Sequence, residues 1–141
     1  MDGRSDIVEA LARLSLFADL RQPELEAVAH SADEEVFAEG QKILRAGLTG
    51  SGLYLLLDGE VVVRLDDSEL ARLGRGEFFG EISCLLGTPP MADIVAATLV
   101  RCLVVPAPEV ETFLIERPRV LYRMLQAEAR RLRDVELWPP R

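Results

Sequence analysis

The sequence predicts a mainly β domain, a small barrel or jelly roll, with helices at both ends. Short apolar runs separated by glycine-containing turns fill residues 34–105, which is the pattern of closely spaced antiparallel strands. Apolar residues recur at helical spacing on both sides of this region. A length of 141 residues suits one domain with one core. We therefore expect a single domain over 1–141, with N-terminal helices over 1–32, a β-roll over 33–106 and C-terminal helices over 107–141.

Two short helices are predicted before the strands. Ile7, Leu11 and Leu14 recur at helical spacing, and Ser5 is a candidate N-cap for the first helix. Pro23 suits the first position of the second helix, because the missing N–H of proline is not needed there.

The clearest strand signal is the apolar run over 53–57, which is short enough for a buried strand. Asp58-Gly59 follows it and is a strong hairpin signal, so residues 61–65 are expected to return antiparallel to that run. Asp66-Asp67-Ser68 predicts the next turn. The other predicted strands lie at 36–37 and 43–44 around the turn Glu39-Gly40, at 94–100 and at 102–105.

A long amphipathic helix is predicted from Pro118, and Trp138-Pro139-Pro140 is expected to end it. Its apolar stripe consists of Leu121, Met124, Leu125, Leu132 and Val135. The stripe is consistent with packing onto the chain's own barrel or with pairing to a second copy, and we favour a homodimer through 118–136. The stripe is not a sustained heptad, so it does not predict an extended coiled coil.

Charge and hydropathy exclude several function classes. The net charge is −8 and the pI is about 4.7, whereas a nucleic-acid surface needs a basic face. No apolar run approaches the length of a membrane span. Residues 1–6 lack the basic start and apolar stretch of a secretory signal, so a cytoplasmic location is expected.

The basic residues that the chain does have are concentrated near its end. They are Arg117, Arg119, Arg123, Arg130, Arg131 and Arg133, interleaved with Glu116, Glu128, Asp134 and Glu136. This pattern is typical of a solvated helix with close ion pairs, and an anion-binding or partner-binding face is the alternative. Cys84 and Cys102 have no metal-type spacing and are expected to be buried free thiols.

The most distinctive stretch is FFGEISCLLGTPPMAD at residues 78–93. Gly80 allows a close backbone approach, and N–H groups at the start of a short helix near 80–83 can bind an anion. This stretch resembles the phosphate-binding cassette of the cyclic nucleotide-binding domain family, in which a Phe-Gly-Glu turn opens a short helix.

The resemblance extends over most of the chain, from about Leu16 to Val135. Its pieces are Leu16-Phe17-Ala18-Asp19-Leu20 as entry helices, the segment 37–43 as a first hairpin, Arg45-Ala46-Gly47 with 53–61 as the next strands, and 73–81 before the long helix. The order and spacing of these pieces are specific together. The resemblance implies a double-stranded β-helix fold and a regulatory function, with cAMP or cGMP as the possible ligand and no other cofactor.

The resemblance also implies the ligand contacts. Glu81 would accept a hydrogen bond from the ribose 2′-hydroxyl, and the turn at Gly80 would hold the phosphate. The family's arginine, which pairs with the phosphate, falls on Pro90, and no lysine or arginine lies between Arg75 and Arg101. The candidate ligand-binding residues are Phe79, Gly80, Glu81, Ile82, Ser83, Pro90, Met91, Ala92 and Asp93.

The missing arginine predicts weak or altered binding of cAMP and cGMP. A charge-assisted hydrogen bond contributes roughly 1.5–3 kcal/mol. If Asp93 points inward, its repulsion adds roughly 2–3 kcal/mol at an effective dielectric of about 20. Together these effects reach about a thousandfold in affinity.

Two functions are consistent with the sequence. The first is a ligand-sensing regulatory domain that signals through its C-terminal helix, and the alternative is a relative that has lost ligand binding and acts as an interaction or dimerisation scaffold. We expect no enzyme, because there is no metal cluster, acid–base pair or activated nucleophile at a known spacing. A transcription factor of this family would carry a helix-turn-helix domain, and few residues follow Val135, so direct nucleic-acid binding is not expected.

Overall fold

The computed structural model describes residues 3–48 and 52–135. Its strands are β1 (Asp33–Phe37), β2 (Lys42–Leu44), β3 (Gly52–Asp58), β4 (Val61–Leu65), β5 (Ser68–Leu73), β6 (Phe78–Phe79), β7 (Asp93–Ala96) and β8 (Val100–Pro106). They form two antiparallel four-stranded sheets, with orders β1-β8-β3-β6 and β2-β7-β4-β5. This is the mainly β jelly-roll class that the sequence predicts.

Helices precede and follow the strands along the chain, and one short helix lies between β6 and β7. They are α1 (Gly3–Ala12), α2 (Gln22–His30), α3 (Glu81–Leu86), α4 (Val110–Ile115) and α5 (Pro118–Asp134), with 3₁₀ turns at Ser15–Phe17 and Ala107–Glu109. Pro23 is the second residue of α2, and the Glu24 carboxylate accepts the Arg21 N–H at 2.7 Å. The predicted N-cap at Ser5 is wrong, because the backbone is already helical from Gly3. The predicted helix end at Trp138 lies outside the described residues.

Strand β3 belongs to two apolar layers. Leu53, Leu55 and Leu57 pack with the helices, whereas Tyr54 and Leu56 pack between the two sheets. Successive side chains of a strand point to opposite faces, so burial of both faces requires a continuous apolar run. This explains why the sequence pattern at 53–57 identified the strand correctly.

The predicted hairpin of β3 with β4 is wrong. β3 pairs with β6 and β8, and β4 pairs with β5 and β7, so the turn at Asp58-Gly59 carries the chain from one sheet to the other. Gly59 has a φ of 93° and a Cβ there would lie 2.3 Å from the carbonyl oxygen of Leu99. The glycine is therefore required by a close backbone approach rather than by a two-residue hairpin.

The turn at Glu39-Gly40 also joins the two sheets. β1 pairs with β8 and β2 pairs with β7, so the segment resembling a first hairpin is not a hydrogen-bonded pair. By contrast, the turn predicted at Asp66-Asp67-Ser68 does join two hydrogen-bonded neighbours, β4 and β5, and Asp66 has a φ of 56°.

Helix α5 packs onto the rest of the domain by one face only. Val120 and Met124 are buried, while the remaining residues of the predicted stripe are exposed: Leu121, Leu125, Leu132 and Val135. Arg119 and Arg123 donate to Asp19 at 3.1 and 2.7 Å, and these hydrogen bonds lower the pKa of Asp19 to about 2. The C-terminal arginines thus make ion pairs, as one of the two interpretations predicted, although their partner Asp19 lies outside the helix.

Three further observations concern other classes of function. Both cysteines are free, Cys102 being buried and Cys84 half-buried, and burial raises the pKa of Cys102 to about 12. Within residues 3–48 and 52–135, no helix has the length and apolar character needed to cross a bilayer. In the same ranges, no group of three acidic, histidine or cysteine side chains is placed to hold a metal ion.

Candidate functional site

A cavity of about 510 Å³ lies where the stretch 78–93 meets the second sheet and the end of α5. Its walls include these side chains from β2, β4, β5, β7, α5 and the residue that follows α5: Leu44, Val63, Leu70, Leu73, Ile94, Arg131, Asp134 and Val135. Of the nine sequence-predicted site residues, eight line it: Phe79, Gly80, Glu81, Ile82, Ser83, Pro90, Met91 and Ala92. Asp93 is not part of its lining. The structure thus brings together both ends of the cassette, and the ligand-binding roles of these residues stay predictions.

The turn at Gly80 leads from β6 into α3. Gly80 has a φ of 85°, and a Cβ built there would lie 2.3 Å from the carbonyl oxygen of Gly52. The backbone of the turn at Gly80 therefore lies directly against the backbone of β3. Phe79 is buried beside it and stacks on Tyr54 with ring centroids 4.9 Å apart, so the start of the cassette is fixed by the core between the sheets.

Gly80→Ala is expected to destabilise the fold by about 2 kcal/mol or more, because the clash with Gly52 adds to the cost of a left-handed alanine. Gly40→Ala is a matched control, since Gly40 has a φ of 88° and nothing within 4 Å of its missing Cβ. Urea denaturation of both variants measures the difference in unfolding free energy. Equal losses in the two variants would contradict the clash.

Glu81 is the buried polar residue of the cavity wall, with a relative exposure of 3%. The Arg131 guanidinium donates to its Oε2 through Nη1 at 3.1 Å and to the carbonyl oxygen of Phe78 through Nη2 at 2.6 Å. The guanidinium also lies 4.3 Å above the centroid of the Phe78 ring. One arginine of α5 therefore joins the helix to the first turn of the cassette.

A second carboxylate, Glu128, lies within hydrogen-bonding reach of Glu81. Burial and the hydrogen bond with Glu128 raise the pKa of Glu81 from 4.5 to about 8, although the charge of Arg131 opposes this shift. Arg131 also lies 3.6 Å from Glu128. Arg131 therefore lies beside both carboxyls, while burial and the hydrogen bond with Glu128 favour the protonated form of Glu81.

The closing half of the cassette has no cation. Pro90 is half-buried, its carbonyl oxygen accepts the Gly47 N–H at 2.9 Å, and Met91 is 84% exposed. Among the described residues that line the cavity, Arg131 is the one with a positive charge, and it is held by Glu81. The described part of the chain therefore places no free cation on the cavity lining for a phosphate.

Asp93 points away from the cavity and towards β2. Its carboxylate accepts the Ala46 N–H at 2.7 Å and pairs with the Lys42 ammonium at 3.1 Å. These contacts hold the pKa of Asp93 below its ordinary value. The repulsion assumed for an inward Asp93 is therefore absent, and the expected loss of affinity is reduced to that of the missing arginine.

Arg131 is the site residue that sequence reasoning missed, because it was grouped with the other C-terminal arginines as a surface cation. A usable signal exists in the sequence. Arg131 follows Met124 by two helical turns, and Val120 precedes Met124 by one, so all three share the inward face of α5. An arginine that shares a face of a helix with buried apolar residues is one to examine for a specific partner.

The family match is consistent with this geometry. The model of the cyclic nucleotide-binding domain matches residues 34–117, which is more than half of the chain. The protein belongs to the cyclic nucleotide-binding domain family, as the sequence predicted.

Solved structures of similar fold come from several organisms. The catabolite activator protein of Thermus thermophilus is 30% identical, with a TM-score of 0.75 over 86% of this chain and 60% of that protein. The regulatory subunit of a cAMP-independent protein kinase A from Trypanosoma brucei is 29% identical, with a TM-score of 0.74 over 87% of this chain and 47% of that one. The chain thus spans about half of the length of these two proteins.

A mutant form of the Trypanosoma brucei subunit is also similar, with a TM-score of 0.66 and 24% identity over 88% of this chain and 51% of that one. It carries three substitutions, one of which introduces an arginine and one of which removes a glutamate. That mutant protein is described with cAMP bound in its A site.

Proposed function

We propose that this protein is a regulatory small-ligand-sensing domain that binds cAMP and cGMP weakly and signals through α5. The main support for this proposal is the contact of Arg131 with Glu81, because it joins α5 and the cassette in the wall of one cavity. A ligand bound in that cavity would contact both α5 and the cassette. The proposal includes no catalysis, since family members bind regulatory ligands.

Weak binding of cyclic nucleotides is supported by Pro90. A cyclic phosphate carries a charge that a guanidinium would neutralise with two parallel hydrogen bonds. Proline supplies neither a charge nor a donor at this position. The loss of one charge-assisted contact corresponds to roughly a ten- to hundredfold weaker affinity.

Signalling through α5 is supported by the position of Arg131. A ligand that takes the Glu81 carboxyl as a hydrogen-bond acceptor competes with the Arg131 guanidinium, which holds α5 there. A ligand shifts an equilibrium only when it binds the two states with different affinity. Competition for Glu81 provides such a difference between the docked and released positions of the helix.

Hydrogen exchange tests this coupling. Millimolar cAMP is expected to increase amide exchange along α5 in the unmodified protein, because the contact between α5 and the cassette weakens. In Arg131→Gln the same ligand is expected to leave exchange in α5 unchanged. Arg133→Gln is the matched control on the same helix, since Arg133 is exposed and pairs with Asp134. An equal response in Arg131→Gln and Arg133→Gln would refute the coupling.

The alternative function is a dimerisation scaffold, and the exposed face of α5 favours it. Leu121, Leu125 and Leu132 are 40%, 62% and 56% exposed, and their spacing places them on one side of the helix. A second copy of α5 would bury this face. The homodimer is compatible with ligand sensing, because the inward face with Arg131 is a different one.

Leu125→Glu is expected to convert the dimer into a monomer, since it places a charge at the centre of the apolar face. Sedimentation velocity measures the change. Leu99→Glu is the control, because Leu99 is equally exposed but lies between β7 and β8. A monomeric unmodified protein, or a dimer that persists in Leu125→Glu, would contradict the proposed interface. The cytoplasmic location and the lack of direct DNA binding stay predictions.

A further inference from the structure

The cavity that contains the cassette has a mostly apolar interior. Val63, Leu73, Phe79 and Ile94 come from the strands around it, and Leu86 comes from the end of α3. Its volume of about 510 Å³ lies within the range of roughly 300–1,000 Å³ that small-molecule sites occupy. Such walls favour a ligand that buries a flat or compact apolar body.

The charges of the cavity are predominantly negative. Among the described lining residues, Glu77, Glu81 and Asp134 are acidic, and Arg131 is the single base. Asp134 pairs with the exposed Arg133 at 3.2 Å, and Glu77 lies 3.9 Å from Arg131, so each of these carboxylates already has a cation beside it. An anion entering this cavity therefore meets carboxylates and finds no unpaired cation among the described lining residues.

Arg131 is not available to pair with an anion. Its Nη2 donates to the carbonyl oxygen of Phe78 at 2.6 Å, its Nη1 donates to Glu81 at 3.1 Å, and Glu77 lies 3.9 Å away. Its planar face lies against the Phe78 ring. A ligand anion would have to break these contacts before it could use the guanidinium.

We propose that this cavity selects small apolar ring compounds that carry no negative charge, and that it discriminates against anions. The inference rests on the proposed ligand-sensing function and names its ligand class. Uncharged rings gain from the apolar walls at no electrostatic cost. Cationic rings gain in addition from the exposed carboxylates of Glu77 and Asp134 on the cavity lining.

Three probes with one ring system test the charge preference. Indole is neutral, tryptamine is a cation and indole-3-acetate is an anion at neutral pH. Chemical-shift titration of the ¹⁵N-labelled protein is expected to place indole and tryptamine in the cavity with affinities at least about tenfold above that of indole-3-acetate. Indole-3-acetate binding as tightly as tryptamine, or no binding by indole and tryptamine at millimolar concentration, would overturn the proposal.

Two sets of variants locate the effect. The double variant Glu77→Gln, Asp134→Asn is expected to reduce the discrimination against indole-3-acetate to less than about threefold. Ala92→Trp fills the cavity and is expected to abolish binding of all three probes, whereas Leu99→Trp, on the loop between β7 and β8, leaves binding unchanged. Retained discrimination in the double variant, or retained binding in Ala92→Trp, would contradict this site.

Hydrogen exchange in α5 separates this inference from the proposed function. If indole binds with the expected preference and exchange in α5 does not respond to it, the ligand class stands and the signalling role fails. If cAMP changes exchange in α5 while indole and tryptamine do not bind, the signalling role stands and the ligand class fails.

Discussion

Pro90→Arg is expected to raise the affinity for cAMP by about ten- to a hundredfold, because it restores one charge-assisted contact to the phosphate. Pro90 lines the cavity, and its backbone carbonyl already accepts the Gly47 N–H, so the substitution leaves that hydrogen bond in place. The backbone angle of proline is accessible to arginine, which limits the cost to the fold. Isothermal titration calorimetry measures the change.

Two controls isolate the contribution of the charge. Pro90→Gln adds a long polar side chain without a charge and is expected to change the affinity by less than about threefold. Met91→Arg places the same charge on the neighbouring residue, whose side chain is 84% exposed, and is expected to gain little. An equal gain in Pro90→Arg and Met91→Arg would show that a general positive charge, rather than the position of Pro90, determines the affinity. An equal gain in Pro90→Gln would show that the charge is not responsible.

Asp93 should be left unchanged in this experiment. In the structure its carboxylate binds the Ala46 N–H and Lys42, so Asp93→Thr would remove support for the loop after β2. A single substitution at Pro90 is therefore the cleaner test.

The second prediction concerns Glu81 and pH. Its pKa is raised to about 8 in the folded protein, against an ordinary value of 4.5, so the folded state keeps a proton that the unfolded state releases. The free energy of unfolding therefore falls as the pH rises through this interval, by at most about 1.4 kcal/mol per pH unit. Below the lower value and above the higher one, Glu81 adds no slope.

Glu81→Gln is expected to remove this slope, because the amide does not ionise. Between about pH 6 and about pH 8.5, the unmodified protein should lose on the order of 2 kcal/mol more stability than the variant. Urea denaturation at the two pH values measures the difference. Glu39→Gln, at an exposed carboxyl of the β1–β2 turn, is the control and should retain the slope of the unmodified protein. A slope that persists in Glu81→Gln would place the titrating group elsewhere.

The sequence was sufficient for the fold class because both the strand runs and the helical stripes are local patterns. The run 53–57 needed only its own composition to identify β3, since both of its faces are buried. The pairing of β3 with β4 was predicted incorrectly from an equally local signal. A turn motif shows that the chain reverses, but it contains no information about which sheet receives the next strand.

In the candidate site, local sequence likewise identified residues but not the partners of their side chains. The cassette residues could be located from their order along the chain. The absence of a cation at Pro90 could also be recognised, because it depends only on which residue occupies that position. The partners of Arg131 and Asp93 could not be predicted, since Glu81 and Ala46 lie 50 and 47 residues away along the chain. Side-chain direction at such distances is determined by tertiary packing.

The most direct test of this account is the calorimetric titration of the unmodified protein with cAMP and cGMP at neutral pH. The account predicts dissociation constants weaker than about 10 µM for both nucleotides, because Arg131 is held by Glu81 and Pro90 provides no cation. Submicromolar binding of either nucleotide would contradict it, since the phosphate would then have to be neutralised by a group that this structure does not place at the cavity.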